Sequence, residues 1–239
     1  SSGPPLFLAA DPRNPMAFWT LIALGLAAAY LLGSVPTGYL AGRLLKGIDI
    51  REYGSKSTGA TNVLRTLGSW PFAVVLSLDV LKGAMSVILV REVVAWTYAR
   101  QSITPPSGAD LTTLTSWTIC LAGLAALVGH ARPVWLRFNG GKSVAAGLGV
   151  LLAMSWPVGL GGLAVFGLTL ALFRIMSLGS MAAAVTAIVL VCALEHPLPY
   201  RLFVIVGGLF VIVRHHANIR RLLAGTEPSV GQSAAPDSR

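Results

Sequence analysis

The sequence predicts an all-α, polytopic integral membrane protein with seven transmembrane helices, the N-terminus outside and the C-terminus cytoplasmic. Three observations lead there. Of 239 residues, 54% are hydrophobic and only 11% charged, where a soluble domain carries about 25% charged residues. Mean hydropathy is +0.72, and the apolar residues fall in repeated long runs divided by polar segments. The lysines and arginines are distributed unevenly between the two sets of connecting segments.

Residues 1–15, SSGPPLFLAADPRNP, are proline-broken and lack the basic start and long apolar core of a signal peptide, so they read as an N-terminal extension, native or left by cloning. Residues 16–227 form one membrane-embedded domain, and 228–239, rich in small polar residues, a flexible tail. The first span is 16–42, and its second half carries Gly33, Ser34, Pro36 and Gly38, residues tolerated in membrane helices where a neighbour packs closely. A polar loop, 43–69, leads to a second span at 70–90 that contains Asp79 and Lys82. A polar connection, 91–112, precedes a third span at 113–130. The apolar stretch 144–156 is short for a perpendicular crossing at 1.5 Å per residue and crosses only if it starts at depth. Pro157 divides it from a fifth span, 158–173; spans at 181–194 and 202–213 follow, and a basic tail begins at Arg214.

With the N-terminus outside, the inner segments hold Arg43, Lys46, Arg51, Lys56, Arg65, Arg132, Arg137, Lys142, Arg174, Arg214, Arg220, Arg221 and Arg239, thirteen of the 18 cations. The outer segments hold four, Arg13, Arg91, Arg100 and Arg201, and Lys82 lies within a span. That excess sets the orientation and supports the odd number of crossings. It also accounts for the net charge of +9 without nucleic acid as a partner. Cys120 and Cys192 sit in apolar runs and read as small buried hydrophobes, not as a disulfide or metal pair.

The polar clusters gather on the cytoplasmic side. Tyr53–Gly68, YGSKSTGATNVLRTLG, is the longest run of Gly, Ser, Thr and Asn between apolar segments, and it carries Lys56 and Arg65. Such backbone turns its N–H groups toward a ligand, and the cations suit an anion. Lys142 lies in FNGGKS. This is either a glycine turn with a snorkelling lysine or a phosphate cradle; it is not a nucleotide P-loop, because Leu136 stands where that motif needs glycine. In RHHANIRR, His215 and Asn218 share a helical face while His216 points away; the same segment also reads as a basic anchor on anionic lipid. Asp79 and Lys82, three residues apart inside a span, read first as a structural ion pair. The sequence carries neither G-x-S-x-G nor H-E-x-x-H, and no metal-ligand spacing, so no metal and no cofactor is expected.

Four stretches in order, GSVPTGYLAGRLLKGIDIREYGS with GATNVLRTLG (33–68), DVLKG (79–83), GHARPVWLRFNGGKSVA (129–145) and RHHANIRRLLAGTE (214–227), make the chain resemble the bacterial acyl-phosphate:glycerol-3-phosphate acyltransferases, the PlsY family. The resemblance implies a seven-helix enzyme of the bacterial cytoplasmic (inner) membrane whose active site faces the cytoplasm. Its reaction moves a fatty acyl group from a long-chain acyl phosphate to the 1-hydroxyl of glycerol 3-phosphate, giving lysophosphatidate and phosphate in the first committed acylation of phospholipid synthesis. Its partners are those two substrates and membrane lipid.

By the same resemblance Ser55, Thr61, Asn62 and Arg65 contribute to substrate binding, with Lys142, His215 and Asn218. The serine of the fifth-to-sixth turn is Ser180 by spacing, with Ser177 as the alternate. Ser55, Arg65, Lys142, Ser180, His215 and Asn218 form the expected catalytic set. One departure stands out: the family's usual GSGN is Gly54-Ser55-Lys56-Ser57 here. An acyl phosphate is already electrophilic, so the site has to hold two anions together and aim a hydroxyl. The base is either His215 or a substrate phosphate oxygen. The rival classes are an anion transporter, disfavoured by the one-sided polar distribution, and an acyltransferase using acyl-CoA or acyl carrier protein.

Overall fold

A computed structural model describes residues 15–101, 110–194 and 196–230. The extension at 1–14 and the last nine residues of the tail lie outside the described residues. Every regular element described is helical.

Helix α1 (Pro15–Ser34) stops at Val35-Pro36, where proline supplies no N–H, and α2 (Thr37–Lys46) restarts the chain. Helix α2 ends at Gly47, whose φ of +67° is left-handed and whose N–H caps the Arg43 carbonyl. A 3-10 turn at Ile50–Glu52 begins where the Asp49 carboxylate accepts from the Arg51 N–H. Next come α3 (Ala60–Leu67) and the 33-residue α4 (Ser69–Gln101). Helix α5 (Leu111–Ala131) is capped by Asp110, which accepts from the Thr113 N–H at 2.8 Å. A second 3-10 turn, Val134–Leu136, leads to α6 (Val144–Met154), α7 (Trp156–Phe173), α8 (Met176–Ala193), α9 (Leu198–Arg214) and α10 (His216–Leu223).

Among the described residues, five helical segments are long and apolar enough to cross a membrane: Met16–Lys46, Ser69–Tyr98, Leu111–Leu136, Trp156–Phe173 and Met176–Ala193. A sixth is added if α9 and α10, bent by 54°, count as one. Helix α6, with 11 residues, is shorter, as its sequence predicts. The second span runs longer than the sequence suggests. Residues 91–101 continue α4 rather than forming a polar connection, because the Arg91 guanidinium is consumed by the Ala153 carbonyl near the end of α6. The Thr97 hydroxyl likewise folds back onto the Val93 carbonyl at 2.6 Å.

Close backbone approach sets the packing. Gly83 on α4 and Gly149 on α6 each face a carbonyl of the other helix, at Ala146 and Val80, so closely that a Cβ would collide. The buried side chains nearby, among them Val87, Ile119, Cys120, Ala126 and Val150, form one continuous cluster. Because the helices alternate in direction, the C-terminal ends of α5, α7 and α9 and the N-terminal ends of α4, α6 and α8 lie at one end of the bundle. That end receives the α2–α3 loop, the loop before α6, the α7–α8 turn and α10.

Candidate active site at one end of the bundle

The loop before α3 is built around Asn62. Its side chain is 1% exposed. The amide nitrogen donates to the carbonyls of Ile50, Tyr53 and Ser57 at 2.8, 3.1 and 2.8 Å, and the amide oxygen accepts the Ser55 N–H at 2.7 Å. Asn62 therefore shapes the loop, and its hydrogen-bonding capacity is used there. Gly54 sits with φ +57° directly against the Asn62 oxygen, where a Cβ would collide. Lys56 has φ +53°, the conformation glycine adopts without cost, which explains the glycine usual there in the resembling family. The Ser57 hydroxyl accepts the Gly59 N–H at 3.3 Å. The outcome is an exposed rim of Ser55, Lys56 and, on α3 one turn beyond Asn62, Arg65.

The second loop follows α5. Arg137 and Phe138 are both left-handed, with φ of +52° and +62°, and the Gly140 and Gly141 N–H groups return to the carbonyls of Ala131 and His130 at 3.2 Å each. This reversal presents Lys142 next to the start of α6. The Lys142 ammonium donates to Asn218 Oδ1 at 3.1 Å. Burial holds its pKa below the ordinary lysine value; Glu227 acts in the opposite direction, while Arg221, Arg214 and Arg65 push it further down.

The third contribution comes from α8, α10 and the chain after α10. Gly225, at φ +68°, turns the chain back, and the Val230 N–H donates to the Arg174 carbonyl at 2.6 Å while Arg174 Nη2 donates to the Val230 carbonyl at 3.2 Å. Val230, which the sequence places in the tail, is thus tied to the α7–α8 turn. The strap delivers Glu227. Its Oε1 accepts from Ser177 Oγ and from Asn218 Nδ2, both at 2.7 Å, and its Oε2 accepts from Arg221 Nε at 2.6 Å. Burial alone would raise the Glu227 pKa; the bonds from Asn218, Ser177 and Arg221 outweigh it and hold the carboxyl below its ordinary value.

His215, 3% exposed, stands at the break between α9 and α10. Its Nδ1 lies 2.7 Å from the Val211 carbonyl. A carbonyl only accepts, so Nδ1 carries the hydrogen and Nε2 of the neutral ring is left with its lone pair. Burial lowers the His215 pKa, opposed by the Val211 bond and assisted by Lys142.

Of the expected residues, the structure brings Lys142, Asn218 and Ser177 into one hydrogen-bonded chain with Glu227, with His215 and Arg65 close enough to Lys142 to couple to its charge. Ser180 lies one turn along α8 and donates to the Met176 carbonyl at 2.9 Å, so the hydroxyl that meets the cluster is that of Ser177. Thr61 is half-buried at the start of α3. Glu227 is the member that sequence reasoning leaves unassigned, although it closes the RHHANIRRLLAGTE stretch. Among the described residues, no three His, Cys, Asp or Glu side chains gather so as to hold a metal ion. What the arrangement offers is an anion site with several cations, one internal carboxylate and one neutral imidazole.

The family model for glycerol-3-phosphate acyltransferases matches residues 23–225, from within α1 to the turn that introduces Glu227. The chain belongs to the glycerol-3-phosphate acyltransferase family. It is 66% identical over 219 residues to glycerol-3-phosphate acyltransferase 2 of Rhizobium johnstonii, covering 92% of this chain and all of that one. It is 50% identical to the glycerol-3-phosphate acyltransferase of a Nostoc species, over 93% of this chain and 98% of that one. The crystal structure of PlsY, an integral membrane glycerol 3-phosphate acyltransferase, in its glycerol 3-phosphate form superposes with a TM-score of 0.74 at 34% identity, over 88% of this chain and 96% of that one. A second PlsY structure, the lysophosphatidic acid form, gives 0.71, over 87% and 94%. The chain is accordingly a PlsY-type acyltransferase of glycerol 3-phosphate in an integral membrane fold, and its place is in phospholipid synthesis. At its polar end this acyltransferase fold gathers Lys142 with Arg65, Arg214 and Arg221.

Proposed function

We propose that the protein transfers a fatty acyl group from acyl phosphate to the 1-hydroxyl of glycerol 3-phosphate, releasing lysophosphatidate and inorganic phosphate, as the first committed acylation of phospholipid synthesis. The observation that carries this reading is the Lys142–Asn218–Glu227–Ser177 chain, set among Arg65, Arg214 and Arg221. Two phosphate-bearing substrates repel each other, and a site with several fixed cations offsets that repulsion before and during transfer.

The glycerol 3-phosphate 1-hydroxyl attacks the acyl carbonyl carbon. Its proton passes to His215 Nε2 or to a phosphate oxygen of the substrate, the new C–O ester bond forms, and the bond from the acyl carbon to the phosphate oxygen breaks. Phosphate then leaves with the electron pair. Ser55, Lys142, Arg65, Asn218 and one of Ser177 or Ser180 hold the phosphates, with Thr61 and Asn62 acting through the loop they open. The acyl chain lies among the apolar helices, where burial contributes about 0.8 kcal/mol per methylene. The charge asymmetry supports seven crossings with α6 among them, an outer N-terminus, and a site on the cytoplasmic face of the bacterial inner membrane. Residues 16–227 act as one catalytic unit.

The test is phosphate release by purified protein given palmitoyl phosphate and glycerol 3-phosphate, with palmitoyl-CoA as the alternative donor. Release that needs both substrates and yields lysophosphatidate supports the proposal. Turnover with the thioester alone overturns the donor and keeps the acceptor.

A further inference from the structure

A buried ion pair contributes little net stability compared with apolar residues of the same size, yet this chain buries a carboxylate, an ammonium and an imidazole together, inside the bundle and apart from the Glu227 cluster. Asp79 is fully buried, and Lys82 and His130 are 8% and 6% exposed. Lys82 Nζ lies 2.8 Å from Asp79 Oδ1, Thr37 Oγ1 donates to the same oxygen at 2.6 Å, and His130 Nδ1 stands 3.7 Å from it. Lys82 Nζ also donates to the Val35 carbonyl at 2.8 Å, at the break between α1 and α2. Three crossings therefore meet at one carboxylate.

Both loops of the candidate site rest on this nest. Gly38, next to Thr37, lies so close to the Thr58 carbonyl that a Cβ there would collide, and Thr58 ends the loop that carries Ser55. Thr37, Thr58, Lys82 and His130 line one small crevice. On the other side Gly141, the residue before Lys142, lies against the edge of the His130 ring. A Cβ on Gly141 would collide with Nε2 and come within 3.1 and 3.3 Å of Cδ2 and Cε1. The Gly141 N–H donates to the His130 carbonyl at 3.2 Å.

We infer that Asp79, Lys82 and His130 are positioning residues of the acyl transfer, holding the Ser55 loop and the Lys142 loop at a fixed separation so that two phosphates are received in register. The inference rests on the phosphate-site reading above. It gives the His130 ring a particular place in that support, since the imidazole fills the space between the ion pair and Gly141 and sets the height of the backbone that presents Lys142.

The test is a size-compensation experiment on the purified full-length chain, with palmitoyl phosphate and glycerol 3-phosphate as substrates and a melting curve for each protein. Gly141→Ala drives a methyl group into the imidazole and lowers kcat/KM by about tenfold or more, since a displacement on the order of 1 Å in a positioning group can cost 100-fold. His130→Ala lowers kcat/KM several-fold, with the glycerol 3-phosphate KM carrying most of the change. In the double variant the methyl group has space, and kcat/KM returns to the His130→Ala level while melting temperatures stay within a few degrees. The inference fails if Gly141→Ala or His130→Ala has no effect, if the two losses multiply as independent sites would, or if activity merely follows melting temperature. Where His130→Ala does not fold, His130→Asn still removes Nε2, the atom that a Gly141 Cβ meets first, and keeps a polar group toward Asp79. Lys142→Ala, assayed in parallel, tests the phosphate site itself: full activity there overturns that site, whereas loss there without compensation at Gly141 overturns only the positioning role.

Discussion

The Lys142 ammonium donates to the Asn218 side-chain oxygen, Oδ1, at 3.1 Å across 76 residues of sequence. The same Asn218 donates to Glu227 at 2.7 Å. Asn218 is thus a relay between a cation and a carboxylate that do not bond each other, and it keeps the ammonium from being neutralised by direct pairing. An anion arriving at Lys142 meets a donor with unspent charge, and its own charge raises the lysine pKa that burial had lowered. Asn218→Ala removes both bonds and lowers kcat/KM by about 100-fold. Asn218→Asp does as much damage by a different route, because it pairs Lys142 directly and sets a second carboxylate beside Glu227. Steady-state kinetics on the two variants checks this; near-wild-type turnover in Asn218→Asp would contradict the relay.

Glu227 organises the end of the chain. Glu227→Gln keeps the shape but must set an amide hydrogen against at least one of its three donors, Ser177, Asn218 and Arg221. The expected loss of stability is about 1–3 kcal/mol. The native pKa of Glu227 is lowered, so its contribution is present above the ordinary carboxylate pKa and is lost as pH falls through the lower native value. Thermal unfolding followed from pH 6 down to pH 3, across the ordinary carboxylate value of 4.5 and below it, should therefore show a weaker acid dependence in Glu227→Gln than in the wild type. An equal dependence in both proteins would place the acid-labile group elsewhere.

How much of this is legible in the sequence depends on sequence separation. The Asp79–Lys82 pair is readable because residues three apart on a helix share a face. The short fourth apolar stretch is readable from its length, and helix α6 is short as expected. His130 as a neighbour of Asp79 is not, because helix packing brings together residues 51 positions apart. Ser177 and Ser180 lie on adjacent turns of α8, and spacing alone cannot tell which of them meets Glu227; the Ser177 hydroxyl does, because Glu227 is carried back on a left-handed Gly225. Glu227 itself reads as one more polar residue near a tail until Val230 is seen tied to Arg174. Asn62 is legible as a member of the polar loop but not in what it does there, since its amide is committed to loop carbonyls.

Arg65 is exposed on α3 and close enough to Lys142 to depress its pKa. A guanidinium facing a bound phosphate acts before and during transfer, so Arg65→Ala should raise the glycerol 3-phosphate KM and lower kcat together. Arg65→Lys should fall between, because the ammonium keeps the charge and loses the planar fork. Initial rates over a full range of glycerol 3-phosphate decide the matter. An unchanged KM in Arg65→Ala would remove Arg65 from the phosphate site.

His215 is the group in the cluster with an ordinary pKa near neutrality, 6.5, and burial lowers it. The neutral ring therefore persists to lower pH than in a solvated histidine. If Nε2 is the base, kcat/KM rises with pH along an acid limb whose midpoint lies below 6.5. Substrate phosphate titrates nearby, at about pH 6, so the limb is assigned by its disappearance in His215→Gln and not by its position alone. That variant should lose on the order of 100-fold in kcat while the glycerol 3-phosphate KM stays nearly intact, since what it removes is the proton-accepting nitrogen and not a cation of the phosphate site. A loss confined to KM, or an acid limb that survives in His215→Gln, would transfer the proton to a phosphate oxygen of the substrate and leave His215 as a donor that fixes the α9–α10 corner.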